Sequence, residues 1–146
     1  MYMNNSIFMN ISNHPSALWS ARQRENAETY GQIMDIAFPG VNPHADENEI
    51  KDMADRLFAD IIGVYMGSVG ETDRDEILRN GVSDGTLTVM VQGEYALTFA
   101  LIERLKEIHA TVVAACSQRV VHEEQIEGGK SRKVVEFEFV RFRKYT

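Results

Sequence analysis

The order of apolar and polar positions along the chain predicts strands alternating with helices. Short apolar runs that stop at turn-forming residues are typical of strands. Four such runs occur, at residues 7–11, 33–38, 86–91 and 111–116. The last run is nearly continuous in its hydrophobicity, which favours a strand buried on both faces of a parallel sheet.

Helical patterns separate these runs. Residues 17–30 are rich in helix-forming residues, and Ser16 is the predicted cap while Gly31 is the predicted end. From Asp46 onward, apolar residues recur every three or four positions, which predicts a long amphipathic helix with an acidic outer face. A third, strongly apolar helix is expected after Glu94.

Two regions complete the predicted fold. The Gly-rich, charged stretch 67–85 predicts a loop with a short helical turn, either a lid over a ligand or an ordinary insertion. After residue 119 the pattern changes to that of a hairpin, with arms at 120–123 and 134–143 joined across 127–130. The chain is therefore predicted to form one α/β domain over residues 1–146, a three-layer Rossmann-like fold with a mostly parallel sheet and a C-terminal β-hairpin.

Composition limits the possible functions. The net charge of −7 disfavours general binding to long nucleic acids, which depends on neutralising phosphates. Residues 42–84 account for −7, whereas residues 119–146 carry +2, so a small anion can still meet a locally basic surface. No apolar run is long enough to cross a bilayer, and the N-terminus lacks the features of a signal peptide.

The cysteine and histidine content indicates no metal site. Cys116 is the single cysteine, which suits a reducing cytoplasm, and it is predicted to be a small buried residue. The four histidines are scattered and show no ligand spacing such as HExxH. Neither a metal nor a cofactor is predicted.

Polar residues follow three of the predicted strands. In an open parallel sheet, ligands bind beyond the carboxyl ends of the strands, so three strand-ending turns are expected to form one phosphate-handling site. In chain order they contribute Ser12, Asn13, His14 and Ser16, then Gln92, Gly93 and Glu94, then Ser117 and Arg119. Histidine is the side chain best suited to proton transfer at neutral pH, so His14 is a candidate for this role.

Each candidate also has a plainer structural interpretation. Asn13 and His14 are ordinary turn or surface residues, and Gly93 is a tight exit from a strand. Glu94 is a favourable charge at a helix N-terminus, and Arg119 is a charge that protects a sheet edge. Trp19 either stacks on a base or packs under the edge of the sheet. The sequence lacks GxGxxG, GxxxxGK[ST] and GxSxG, so it gives no support to dinucleotide, Walker-type or serine-hydrolase chemistry.

Four segments resemble a known group of proteins. They are NISNHPSALWSARQ, DIAFPGVNPHAD, VMVQGEYALTFALIERLK and VVEFEFVRFRKY, which together with the chain between them cover most of the sequence outside roughly 63–85. These segments resemble the small Rossmann-like CRISPR-associated accessory proteins of type III systems. The resemblance implies a homodimer that recognises cyclic oligoadenylate, cyclic tetra-adenylate being the expected ring, with the ring lying across the dimer axis.

The resemblance also implies roles for particular residues. Some members are ring nucleases that need no metal, because a ribose 2′-hydroxyl attacks the adjacent phosphate and leaves a 2′,3′-cyclic phosphate. If the chain is such a ring nuclease, Ser16 is expected to hold the phosphate, Arg119 to stabilise its developing charge and His14 to act as general base or acid. Other members bind the ring without cutting it, and an interaction protein without a nucleotide ligand is a third possibility.

Overall fold

The computed structural model describes residues 5–146, which contain five strands and four α-helices. The elements in chain order are β1 Ile7–Ser12, α1 Ala21–Glu28, β2 Gln32–Ala37, α2 Glu47–Val69, α3 Arg74–Asn80, β3 Leu87–Val91, α4 Tyr95–Glu107, β4 Thr111–Gln125 and β5 Ser131–Lys144. Two short 3-10 turns, Ser16–Leu18 and Glu127–Gly129, lie between them.

The strands form one sheet in the order β2-β1-β3-β4-β5. Strands β1 to β4 all run parallel to one another, and β5 runs antiparallel to β4. The prediction of a mixed α/β fold with a mostly parallel sheet and a C-terminal hairpin is confirmed. The connection from β1 to β2 contains α1, and the connection from β2 to β3 contains α2 and α3. Because β2 lies on one side of β1 and β3 on the other, the strand order reverses between β1 and β3.

The larger core lies on the face of the sheet that α2 and α4 cover, called here the α2/α4 face. Alternate residues of the central strands point to this side, and they are fully buried against apolar residues of the two helices. The strand contribution consists of Ile7, Met9, Ile11, Leu87, Val89, Val91 and Val112. This core explains why the two amphipathic patterns in the sequence become the two longest helices.

The opposite face, called here the α1 face, has a smaller and more aromatic core. Phe8 is fully buried there, and its ring lies 4.9 Å from that of Phe142. Trp19 and Tyr30, on either side of α1, pack against the same pair of rings. Because α1 has only eight residues, it covers only part of this face.

A β-bulge shapes the aromatic core. Cys116 pairs with Arg141, but the next residue, Ser117, pairs with Phe139, so Val140 has no partner in the register. An extra residue shifts the alternation of side chains by one position. Phe139 and Phe142, three residues apart, therefore lie on the same face with ring centroids 4.8 Å apart.

The prediction of a third strand-ending turn at residues 117–119 is wrong. β4 continues without interruption from Thr111 to Gln125 and pairs with β5 almost to its end. The change from apolar to alternating sequence marks the point where the strand leaves the helix-covered part of the sheet, since most residues from Ser117 onward are exposed. The predicted hairpin therefore exists, but both of its strands are longer than expected.

The first predicted helix also differs from the structure. Residues 16–18 form a 3-10 turn, and the α-helix begins only at Ala21, capped by the hydroxyl of Ser20. The helix ends at Glu28, before Gly31. The role of Gly31 is different: a Cβ there would collide with the backbone of residues 6 and 7, so glycine lets the chain enter β2 close to β1.

The second helix begins as predicted, because Asp46 accepts a hydrogen bond from the backbone of Glu49. It then extends further, to Val69, where Gly70 adopts a positive φ of 76° and ends it. α3 follows and buries Ile77 in the larger core, so 67–85 is more ordered than the predicted loop. No helix within residues 5–146 is long and apolar enough to cross a membrane.

We expect Phe8→Ala to destabilise the protein by about 3–5 kcal/mol, because the fully buried ring joins Trp19, Tyr30 and Phe142 and its removal leaves a cavity. Phe99→Ala is the matched control, since that ring is 60% exposed on α4 and its loss is expected to change the free energy of unfolding little. Urea denaturation of both variants measures the difference, and equal effects would contradict this description of the core.

Candidate functional site

A cleft of about 790 Å³ opens on the α1 face at the carboxyl ends of β1 and β3, beside the middle of β4. The register of β3 with β4 ends at Met90 and Val113, after which β4 continues beside β5 alone. This divergence leaves a gap with Met90, Gln92 and Ala115 in its lining, and α1 and β5 supply opposite walls. Seven residues predicted for the site lie here: Ser12, Asn13, His14, Trp19, Gln92, Gly93 and Ser117.

Hydrogen bonds of a buried amide hold the first turn in place. Asn10 is only 1% exposed, and its Nδ2 donates to a carboxylate oxygen of Asp35 and to the backbone carbonyl of His14, both at 2.9 Å. The hydroxyl of Ser12 donates to Oδ1 of Asn10 at 2.7 Å. The turn is thus tied both to the strand that precedes it and to the neighbouring strand β2.

Ser16 lies beneath this turn and does not line the cleft. Its hydroxyl donates to Asp35 at 2.9 Å, and its backbone N–H lies 3.3 Å from both oxygens of the same carboxylate. The predicted phosphate donors of Ser16 are therefore engaged by a carboxylate. The sequence analysis did not predict the roles of Asn10 and Asp35. A signal was present, because each is a polar residue inside an otherwise apolar strand, and buried polar residues need hydrogen-bond partners.

His14 combines a fixed backbone with an exposed position at the cleft. Its N–H donates to the hydroxyl of Ser12 at 3.2 Å, and its carbonyl accepts from Asn10 and from the indole N–H of Trp19 at 3.1 Å. These bonds involve only main-chain atoms of His14. The imidazole remains available to a molecule in the cleft, as the proposed proton transfer requires.

The packing interpretation of Trp19 is confirmed, and the residue also borders the cleft. Its ring meets that of Phe8 edge-on, with centroids 6.1 Å apart, and its indole N–H donates to His14. Since Trp19 is half-buried, part of its surface remains accessible in the cleft.

The second turn contributes the floor of the cleft. The side-chain amide of Gln92 pairs with the backbone of Ala115, accepting from its N–H at 2.9 Å and lying 3.4 Å from its carbonyl. It replaces the ladder hydrogen bonds that β3 and β4 lose as they diverge. Position 93 requires glycine for steric reasons, because a Cβ there would lie 2.5 Å from the ring of Phe38.

Glu94 has the structural role that its position at a helix start favours. Its carboxylate accepts hydrogen bonds from the backbone N–H groups of Ala96 and Leu97 and so caps α4. The residue is not part of the cleft lining. Because a carboxylate already occupies the positive end of this helix, that end is a poor place for a phosphate.

The third predicted segment, residues 117–119, lies only partly in the cleft. Ser117 lines the cleft, whereas Arg119 is exposed and lies outside the lining, one side-chain repeat further along β4. Arg119 stands opposite Phe137 in the register, so both side chains lie on the α1 face. Ser16 and Arg119, the two residues predicted to handle phosphate, thus lie outside the cleft lining, as Glu94 does.

The structure adds residues that sequence reasoning missed. The first turn of α1 brings Ser20, Arg22 and Gln23 to the cleft, and Arg22 reaches the carbonyl of Val140 at 3.4 Å. β5 contributes Phe137, Glu138 and Phe139. No local signal in the sequence marks these residues, since they depend on β5 returning beside α1.

Ionisable groups in the cleft are few. Arg22 is a permanent cation and His14 is an ionisable residue at the cleft. Glu138 also borders the cleft, but its carboxylate lies on the opposite face of β5, 3.5 Å from the amide of Gln118. Within residues 5–146, no cluster of three or more His, Cys, Asp or Glu side chains is arranged to hold a metal ion. The cleft therefore offers hydrogen bonds, aromatic surface and a small local positive charge.

Comparison with known proteins gives one result. A family model matches residues 6–143, which is nearly the whole chain, and the family is described as the uncharacterized protein MJ1673 family. No curated protein and no solved structure matches the chain significantly.

We expect Asp35→Asn to loosen the turn, because the new amide group turns one acceptor into a donor facing the donors of Asn10 and Ser16. An unsatisfied polar group costs about 1–3 kcal/mol, so the free energy of unfolding should fall by about that amount. Hydrogen exchange at the backbone of Ser16 should also become faster. Asp60→Asn, an exposed change on α2, is the control, and unchanged exchange at Ser16 would contradict the network.

Proposed function

We propose that this chain, which belongs to the MJ1673 family, binds cyclic oligoadenylate in the cleft at the carboxyl ends of its parallel strands and linearises it without a metal ion. The observation that carries the proposal is the convergence of Asn13, His14, Trp19 and Ser117 with the second turn in one cleft. The mostly parallel sheet agrees with the Rossmann-like fold of the type III accessory proteins that the sequence resembles. In open sheets of this kind, ligands bind where the strand order reverses.

The chemistry of the cleft suits parts of a nucleotide ring. Trp19 and Phe137 offer aromatic surface for adenine, and Phe137 is 72% exposed. Arg22 and His14 offer positive charge to phosphate, and Gln23 and Asn13 offer hydrogen bonds. A ring of four nucleotides is larger than the drug-sized ligands that fill pockets of about 300–1,000 Å³. One cleft of this size therefore holds part of the ring, which agrees with a homodimer that shares it.

The proposed reaction is an internal transfer. A ribose 2′-oxygen attacks the adjacent phosphorus and the bond from phosphorus to the 5′-oxygen breaks, which gives a 2′,3′-cyclic phosphate and a 5′-hydroxyl. A base removes the proton of the 2′-hydroxyl, and an acid supplies a proton to the departing 5′-oxygen. His14 performs one of these proton transfers, and Arg22 stabilises the charge on the phosphorane. Ser16 acts indirectly, by holding the turn through Asp35.

Binding without cleavage is the second candidate function. Of the three residues predicted to be catalytic, only His14 lines the cleft, because Ser16 is bonded to Asp35 and Arg119 lies further along β4. A site with a single titratable group supports retention of the ring as well as its cleavage. This alternative makes the chain a sponge or sensor for the same ligand.

One experiment separates these functions. Cyclic tetra-adenylate is incubated with the protein in the presence of EDTA, and the products are separated by chromatography. Linear products ending in 2′,3′-cyclic phosphate are the expected result. Intact ring retained on the protein would contradict cleavage and favour the sponge. Absence of both binding and turnover, for rings of every size, would contradict both and favour an interaction protein without a nucleotide ligand.

We expect His14→Ala to slow cleavage by about 10²–10⁴-fold, the usual contribution of a general acid or base, while the affinity for the ring falls much less. Single-turnover cleavage and equilibrium binding of labelled ring measure the two effects. His44→Ala, in an exposed loop outside the cleft, is the matched control and should behave as wild type. Equal losses of binding and cleavage in His14→Ala would assign the residue to binding alone.

A further inference from the structure

A second cavity, of about 650 Å³, opens on the α1 face at the amino ends of the parallel strands, the end of the sheet opposite the cleft. It lies between the last turn of α1, the loop before β3 and the end of β5, and we call it the acidic cavity. Its lining includes Glu25, Glu28, Tyr30, Asp84, Thr88 and Lys144. None of these six residues lines the cleft, so the acidic cavity is separate from the proposed nucleotide site.

The charged groups of the acidic cavity lack partners in the chain. Glu25, Glu28 and Asp84 contribute three carboxylates. Lys144 contributes one ammonium group, so the described residues of the lining carry three negative charges and one positive charge. No ion pair within residues 5–146 involves any of these four side chains. A ligand with two positive charges balances the charge of this site.

The end of α1 adds to the negative character of the cavity. Carbonyl groups at the C-terminus of a helix carry a partial negative charge and favour nearby cations. The last turn of α1 contains no basic residue, and it carries Glu25 and Glu28 instead. Residues three apart are neighbours on a helix surface, where like charges repel. A bound cation relieves the repulsion between the two carboxylates and their repulsion by the helix end.

A buried hydroxyl reaches the acidic cavity from the sheet. Thr88 is 2% exposed, and its side chain lies on the α1 face, like that of Met90 two residues later. Within the described part of the chain, the hydroxyl of Thr88 makes no hydrogen bond, although the residue lines the cavity. Buried polar groups need a partner. The cavity is the side from which a ligand can supply one, which distinguishes this site from a chance group of surface acids.

We propose that the acidic cavity binds a linear aliphatic diamine or polyamine. One ammonium group binds the carboxylates of Glu25 and Glu28 at the end of α1, and a second binds Asp84. The hydroxyl of Thr88 accepts a hydrogen bond from an ammonium group, and the methylene groups of the ligand pack on the ring of Tyr30. A metal ion fits less well, because no three His, Cys, Asp or Glu side chains within residues 5–146 are arranged to hold one. Ammonium groups separated by methylene groups match carboxylates that come from two separate elements.

The two ends of α1 then serve ligands of opposite charge. Its first turn brings Arg22 to the cleft, whereas its last turn brings Glu25 and Glu28 to the acidic cavity. This order follows the helix dipole, which is positive at the N-terminus and negative at the C-terminus. Binding of an amine does not depend on the proposed function, so either proposal can fail without the other.

Isothermal titration calorimetry with 1,4-diaminobutane and spermidine tests the site. We expect one molecule to bind per chain. We expect 1,4-diaminobutane to bind about tenfold or more tightly than 1-aminobutane, which has the same length and a single ammonium group. Glu28→Gln and Asp84→Asn should each weaken binding of 1,4-diaminobutane about tenfold, because each removes a charged partner of an ammonium group. Asp60→Asn is the matched control, since it removes one exposed carboxylate of α2 outside the cavity and should leave the affinity unchanged.

Thr88→Val tests the hydroxyl, because it removes that group and keeps the shape of the side chain. We expect it to weaken binding of 1,4-diaminobutane about threefold to tenfold without lowering the free energy of unfolding of the unliganded protein. A clear loss of stability would show that the hydroxyl already has a structural partner and would overturn the inference. So would no binding of either amine, equal affinity for 1-aminobutane, or unchanged affinity in the Glu28 and Asp84 variants.

Discussion

The side chain of Asn10 lies at 1% exposure in the middle of β1, and the shape of the candidate site depends on how its polar atoms are satisfied. An amide buried without partners costs about 1–3 kcal/mol, so its hydrogen bonds constrain whatever surrounds it. Asn10 donates to Asp35 of β2 and to the carbonyl of His14, and it accepts from Ser12. The requirement to satisfy one buried group thus fixes the backbone of the turn while leaving the side chain of His14 at the cleft.

The unequal cover of the two sheet faces explains why the cleft lies where it does. Two long helices bury the α2/α4 face, whereas the eight residues of α1 cover only part of the other. The aromatic cluster around Phe8 extends the core toward β5 and supports the exposed hairpin of β4 and β5 through Phe139 and Phe142. Beyond that cluster, β3 and β4 have already separated. The open space between α1, the strand ends and β5 therefore exists because α1 is short and because β4 continues beyond the end of β3.

The sequence predicted those features that depend on local pattern. The periodic apolar residues located α2 and α4, and the position of the first turn followed from an apolar run ending near Pro15. Features that depend on distant partners were not predictable in this way. Ser16 resembles a helix cap until Asp35, nineteen residues away, is seen to accept its hydrogen bonds. Similarly, the polar residues near Arg119 suggested that the strand ends there. A turn and an exposed continuation of a strand both place polar residues after an apolar run, so the local sequence does not distinguish them.

An acidic chain that holds an anionic ligand needs local sources of positive charge, and the structure restricts where they are. The N-terminus of α4 is occupied by the carboxylate of Glu94, so it does not serve this purpose. The first turn of α1 is better placed, since it brings Arg22 and Gln23 to the cleft. The acids of residues 42–84 lie chiefly on α2, α3 and the loops beside them, which belong to the opposite side of the sheet. Separation of charge by the sheet itself therefore lets the α1 face receive an anion even though the whole chain carries a net charge of −7.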